Sequence, residues 1–92
     1  MTQLDEFYAA YDRVLQKWPV EVESIDMSTA HGTTRVNACG SADHPALVLL
    51  PGAGATSTVW FANVAALARH YRVYALDLMG DVGRSVPGET SI

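Results

Sequence analysis

The chain has 92 residues, 49% of them hydrophobic, and a formal charge of -4 at neutral pH. That suffices for one small core, while the acidic balance argues against nucleic acid or an anionic membrane as partner, and no apolar run approaches the roughly 20 residues of a membrane span. The first residues, Met-Thr-Gln-Leu-Asp-Glu, lack the basic and apolar regions of a secretory signal, and the lone Cys39 has no internal disulfide partner, so a reducing cytoplasm is expected.

Thr2 to Trp18 reads as an amphipathic helix. Leu4, Phe7, Tyr8, Tyr11, Val14, Leu15 and Trp18 recur at spacings of three and four, placing them on one face that is expected to pack against the domain. Thr2 with Asp5 resembles a capping box with Asp in place of Glu, and Pro19 marks the stop. Val20 to Ser28 then alternates with a change of phase between Val22 and Ile25, which predicts a strand with a bulge or a break. His31-Gly32 reads as a turn and Thr33 to Cys39 as a second strand, giving an antiparallel hairpin. Gly40 to Pro45 is a loop by composition.

Ala46 to Leu50 is a run of five apolar residues, read as a buried parallel strand, and it breaks into the small-residue turn Pro-Gly-Ala-Gly-Ala-Thr-Ser. A helix is expected from about Thr58 to His70, with Trp60, Val64, Leu67, Ala68 and Tyr71 inward and Ser57 or Thr58 as its cap. Arg72 to Leu76 is a further strand ending at Asp77, so the segment forms a right-handed βαβ unit. Leu78 to Ile92, rich in Gly, Pro and Ser, reads as an exposed loop.

The turn at Gly52 to Ser57 carries the chemistry, and it admits three readings. In the first it is an oxyanion hole: Gly52 and Gly54 let the backbone turn and approach a substrate without Cβ clashes, and the Ala53 N–H faces the oxygen that gains charge during acyl transfer. In the second, Gly52-Ala53-Gly54-Ala55-Thr56-Ser57 is a dinucleotide fingerprint of an oxidoreductase, with Ser57 where Gly or Ala belongs and Asp77 placed as the ribose-binding acid. In the third, the glycines only permit a tight strand-to-helix turn.

Other candidates are weaker. Ser57, Ser85 and Ser91 lie in no nucleophile-elbow motif, and His31, His44, His70 and Cys39 have no metal-ligand spacing. Asp77, Asp81 and Glu89 read as solvated loop carboxylates, with Asp77 better suited to bonding backbone and fixing the loop.

Two segments together resemble a known family. Asp77-Leu78-Met79-Gly80-Asp81-Val82-Gly83-Arg84-Ser85 is similar to the Asp-x-x-Gly-x-Gly-x-Ser loop after the fourth strand of α/β-hydrolases, with one extra residue between its glycines. Leu-Pro-Gly-Ala-Gly followed by Trp60 resembles the His-Gly-x-Gly oxyanion segment with Pro51 in place of the histidine. Trp18-Pro19, Ser57 to Trp60 and Gly80-Asp81 are similar to the bacterial carboxylesterases of the naproxen-esterase type.

The resemblance implies an α/β fold in which residues 1–92 are the N-terminal segment of one α/β-hydrolase domain: strands 1 to 4 and the first crossover helix, preceded by the amphipathic helix. It further implies ester hydrolysis without a cofactor or metal. Ala53 would be the first oxyanion donor, flanked by Gly52 and Gly54 against the substrate. The nucleophile in its Gly-x-Ser-x-Gly elbow, the acid and the histidine belong to a later part of the family fold. The family order of strands leaves Ala46 to Leu50 as an open edge, so a second polypeptide or a C-terminal fragment carrying strand 5 onward is the expected partner, alongside a small-molecule ester. A non-catalytic α/β-hydrolase-like binding module is the remaining alternative.

Overall fold

The computed structural model describes residues 2–52, 54–78 and 83–87. Helix α1 (Gln3–Leu15) begins at the expected capping box. Thr2 Oγ1 accepts from the Asp5 amide at 3.1 Å, and Asp5 Oδ2 accepts from the Thr2 amide at 3.2 Å. These bonds engage N–H groups that lack intrahelical acceptors. The helix stops three residues earlier than its apolar stripe: the Lys17 and Trp18 amides bond back to the Val14 and Leu15 carbonyls in a tighter turn before Pro19. Tyr11 and Trp18 are the buried members of the stripe, and Leu4 is exposed.

Strands β1 (Glu23–Thr29) and β2 (Gly32–Cys39) form the hairpin around Ala30-His31. Their register is continuous from Glu23↔Ala38 to Thr29↔Gly32, so the change of phase is a break and not a bulge. Val20 and Val22 precede the strand and pack on the core around Trp18. Strands β3 (Ala46–Leu49) and β4 (Arg72–Leu76) pair in parallel, β4 pairs antiparallel with β2, and the order is β1-β2-β4-β3.

Three expectations are corrected. The single helix from Thr58 is two pieces, a 3₁₀ turn (Ser57–Ala62) and helix α2 (Val64–Ala68). Thr58-Val59-Trp60-Phe61 are poor helix formers, and the cap is neither Ser57 nor Thr58 but Thr56, whose Oγ1 accepts from the Thr58 amide at 3.2 Å. The segment after Asp77 is not wholly an exposed loop. Ser85 is buried, and β5 (Val86–Pro87) pairs with the start of β2, beside the stretch that β4 occupies. Finally, β3 is not buried on both faces. Leu49 joins the core of Trp18, Cys39, Val64, Val73 and Ala75, but Val48 and Leu50 are each 57% exposed. Among the described residues β3 has β4 as its one neighbour, and nothing covers the face that Val48 presents.

Candidate active-site turn and its buried polar anchor

Parallel pairing brings the ends of β3 and β4 to the same edge of the sheet, the edge where open α/β sheets place ligands. Buried Pro51 leads out of β3, and the Ala55 amide bonds to the Gly52 carbonyl at 3.1 Å, closing a tight turn. Gly54 takes φ +78°, a conformation that residues with a Cβ rarely adopt. A Cβ at Gly52 or Gly54 would meet nothing within 4 Å, so the turn borders open space. Ala53, the expected donor, lies outside the described residues, as do Gly80, Asp81, Glu89 and Ser91.

Behind the turn lies a polar cluster that the sequence reading did not assemble. Asp77, at the end of β4, is 1% exposed. Its Oδ1 accepts from the Ser57 amide at 2.8 Å, and its Oδ2 accepts from the Tyr11 hydroxyl at 2.8 Å and the Arg84 amide at 2.7 Å. Asn37 faces the same side of the sheet, because its register partner Ala75 lies two residues before Asp77. Its Nδ2 donates to the Tyr11 oxygen at 2.7 Å and to Ser57 Oγ at 2.8 Å, while its Oδ1 accepts from Ser24 Oγ at 2.7 Å.

The proton inventory closes. Tyr11 gives its proton to Asp77, Asn37 gives its two amide protons to Tyr11 and Ser57, and the Ser57 hydroxyl, 3.2 Å from the Tyr11 oxygen, donates there. Every buried polar atom of the quartet thus has a partner, the condition under which such a network rigidifies a core. Burial pushes the Tyr11 hydroxyl up to about 12, and the Asp77 carboxylate adds to the rise against the opposing bonds with Ser57 and Asn37.

The loop after β4 closes on the same carboxylate. Gly83 takes φ +133°, and a Cβ there would lie 2.7 Å from Asp77 Cγ. Ser85 Oγ donates to the Asp77 carbonyl at 2.7 Å and accepts from the Arg35 amide at 2.9 Å, filling the gap between β4 and β5 along β2. Asp77 therefore fixes backbone, as expected, but as a buried group and not a solvated one. Its three donors leave no exposed oxygen for a ribose hydroxyl, which removes the main support of the dinucleotide reading. Ser57, 0% exposed, faces Asn37 and Tyr11.

A groove of about 820 Å³ opens at the other end of the sheet, between Val22, Gly40, Ala68 and Arg72, and includes no residue of the turn. Among the described residues no group of three or more His, Cys, Asp or Glu is placed to hold a metal, and no helix is long and apolar enough to cross a membrane.

Tyr11 and Asn37 were the members missed. Tyr11 fits the helix stripe as an ordinary packing residue. Asn37 did carry a signal: it interrupts the buried run Val36, Ala38, Cys39 on the face where its strand neighbour is Cys39.

The strand order, the glycine turn and the Asp77 loop define an α/β-hydrolase. Residues 47–92 match the Alpha/beta hydrolase family, and the chain belongs to it. Over 81 residues it is 43% identical to carboxylesterase YbfK of Bacillus subtilis, covering 88% of this chain and 27% of that protein. The crystal structure of naproxen esterase (carboxylesterase NP) from Bacillus subtilis superposes with a TM-score of 0.88 at 43% identity, covering 91% of this chain and 30% of that one. The crystal structure of carboxylesterase CesB (YbfK) from the same organism also gives 0.88, at 42% identity and with the same coverage. The chain thus spans less than a third of the length of these relatives.

Proposed function

We propose that residues 1–92 form the N-terminal segment of a single α/β-hydrolase domain that hydrolyses small carboxylic esters through a serine carried elsewhere in the complete protein. The observation that carries the reading is the Gly52–Ser57 turn, set at the carboxyl ends of two parallel strands in a chain 43% identical to a carboxylesterase. In acyl transfer the substrate carbonyl becomes a tetrahedral oxyanion, and fixed N–H groups lower that barrier more than they stabilise the ground state. Ala53 supplies one such N–H, and Gly52 and Gly54 leave room for the acyl group. The C-terminal portion, as the same polypeptide or a second one, adds strand 5 beside β3 together with the nucleophile, acid and histidine. A reducing cytoplasm suits the buried, free Cys39.

The test uses the complete protein. It is expected to hydrolyse p-nitrophenyl butyrate and to lose that activity on labelling by a fluorophosphonate. Ala53→Pro, which deletes the donor, is expected to lower kcat by about 10²–10³. Wild-type inertness towards esters, or turnover indifferent to the fluorophosphonate, would overturn the reading.

A further inference from the structure

We infer that Tyr11, on the N-terminal helix, is a positioning residue for the oxyanion turn, acting through the Asp77 carboxylate and the Ser57 backbone. The inference rests on the ester-hydrolase reading above and adds to it a residue far from the glycines in sequence. One carboxylate joins three segments: α1 through the Tyr11 hydroxyl, the exit of the turn through the Ser57 amide, and the loop after β4 through the Arg84 amide. Ser57 is two residues beyond Ala55, whose own amide closes the turn on Gly52. The Ser57 amide is therefore a near fixed point against which the turn is held. Its side chain is fixed as well, by Asn37 and by the Tyr11 oxygen.

Tyr11 completes this clamp. Without its hydroxyl, Oδ2 of Asp77 keeps only the Arg84 amide, and Asn37 and Ser57 lose a shared acceptor. Both groups are fully buried, so water does not replace the missing oxygen without rearrangement. A fraction of an ångström at an oxyanion donor matters because that donor acts only when aligned with the developing charge. The Tyr11 hydroxyl is not the sole tie of this segment: the Arg84 guanidinium lies 4.2 Å and 5.1 Å from the Tyr8 and Tyr11 rings while pairing with Asp12, and Trp18, just past α1, donates through Nε1 to the Thr58 carbonyl at 3.3 Å. Tyr11→Phe keeps the ring and its stacking and deletes one hydroxyl.

The experiment compares wild type, Tyr11→Phe and Val73→Ala in the complete protein. Val73 is a fully buried core residue with no part in the cluster, so its truncation serves as the stability control. For p-nitrophenyl butyrate, Tyr11→Phe is expected to lower kcat about tenfold with KM within about twofold, whereas Val73→Ala leaves kcat within about twofold. Hydrogen exchange followed by mass spectrometry is expected to quicken in Tyr11→Phe over residues 54–58 and 83–85, and not in Val73→Ala. Unchanged exchange there overturns the inference, as does a kcat loss equal to that of Val73→Ala. If wild type turns over no ester, the hydrolase reading fails and with it the catalytic half of the inference, while the exchange result still decides whether Tyr11 holds the turn.

Discussion

The hydroxyl of Tyr11 donates a 2.8 Å hydrogen bond to the carboxylate of Asp77 across 66 positions of sequence, and both groups are buried. Burial first, and the Asp77 carboxylate after it, hold the phenol in its neutral form. Against an ordinary value of 10.0, the Tyr11 hydroxyl in the fold is raised to about 12. The sign follows from linkage: the contribution is complete below pH 10, where the phenol is neutral in both states, and declines as pH rises from 10 towards 12 because the unfolded chain ionises first. The expected loss is about 2–3 kcal/mol over that window. Urea unfolding of the complete protein at pH 9 and 11.5 checks it, with Tyr11→Phe subtracting the other tyrosines: the variant is expected to show the smaller decline.

Asn37 is the second lever on the same cluster. Asn37→Ala leaves the Tyr11 and Ser57 oxygens short of a buried donor, and a loss of about 2–3 kcal/mol is expected. Ser24→Ala removes one bond, to Asn37 Oδ1, given by an exposed residue at the outer side of the cluster, and is expected to cost less than Asn37→Ala, about 1 kcal/mol. Chaotrope midpoints of the two variants, measured side by side, decide this. Equal losses would mean that Asn37 is held by packing more than by its donors.

The elements legible in the sequence were those with a local cause. The Thr2–Asp5 box, the hairpin of β1 and β2 and the individual strands β3 and β4 each announce themselves within a few residues. The anchor of the turn does not, because its parts lie on α1, β2, the 3₁₀ turn and β4, and only the packed sheet brings Tyr11, Asn37, Ser57 and Asp77 together. The helix after the turn was misread for a related reason. Its apolar spacing is helical, but Thr58, Val59, Trp60 and Phe61 have low α-helix propensity and the segment forms a 3₁₀ turn, and periodicity does not register that. The exposed face of β3 is not legible in its sequence, because a run of apolar residues looks the same whether one face of the strand is covered or both.

That exposed strand makes its own prediction. Val48 and Leu50 are each 57% exposed beside an edge that no other strand pairs with among the described residues. Residues 1–92 produced alone are expected to self-associate with rising concentration, and Val48→Lys to suppress the association, since a charge on an edge strand opposes pairing. Sedimentation velocity at several concentrations reads both. A monomer at every concentration would show that the edge is protected without a further strand.

The glycines of the two loops separate stability from catalysis. Gly83 is demanded by the fold: at φ +133°, a Cβ would sit 2.7 Å from Asp77 Cγ, and the carboxylate cannot yield without breaking its bonds to Ser57, Tyr11 and Arg84. Gly83→Ala is expected to cost about 2–3 kcal/mol through backbone strain and overpacking. Among the described residues nothing demands a glycine at position 52, since a Cβ there meets no atom within 4 Å. If the space beside it receives the acyl group, Gly52→Ala should keep stability within about 0.5 kcal/mol of wild type and lower kcat/KM by at least about tenfold. Thermal unfolding and ester kinetics on the same preparations of the complete protein give both numbers. Full activity in Gly52→Ala would move the substrate away from this turn, whereas a stable and crippled variant would identify Gly52 as a residue kept for the ligand and not for the chain.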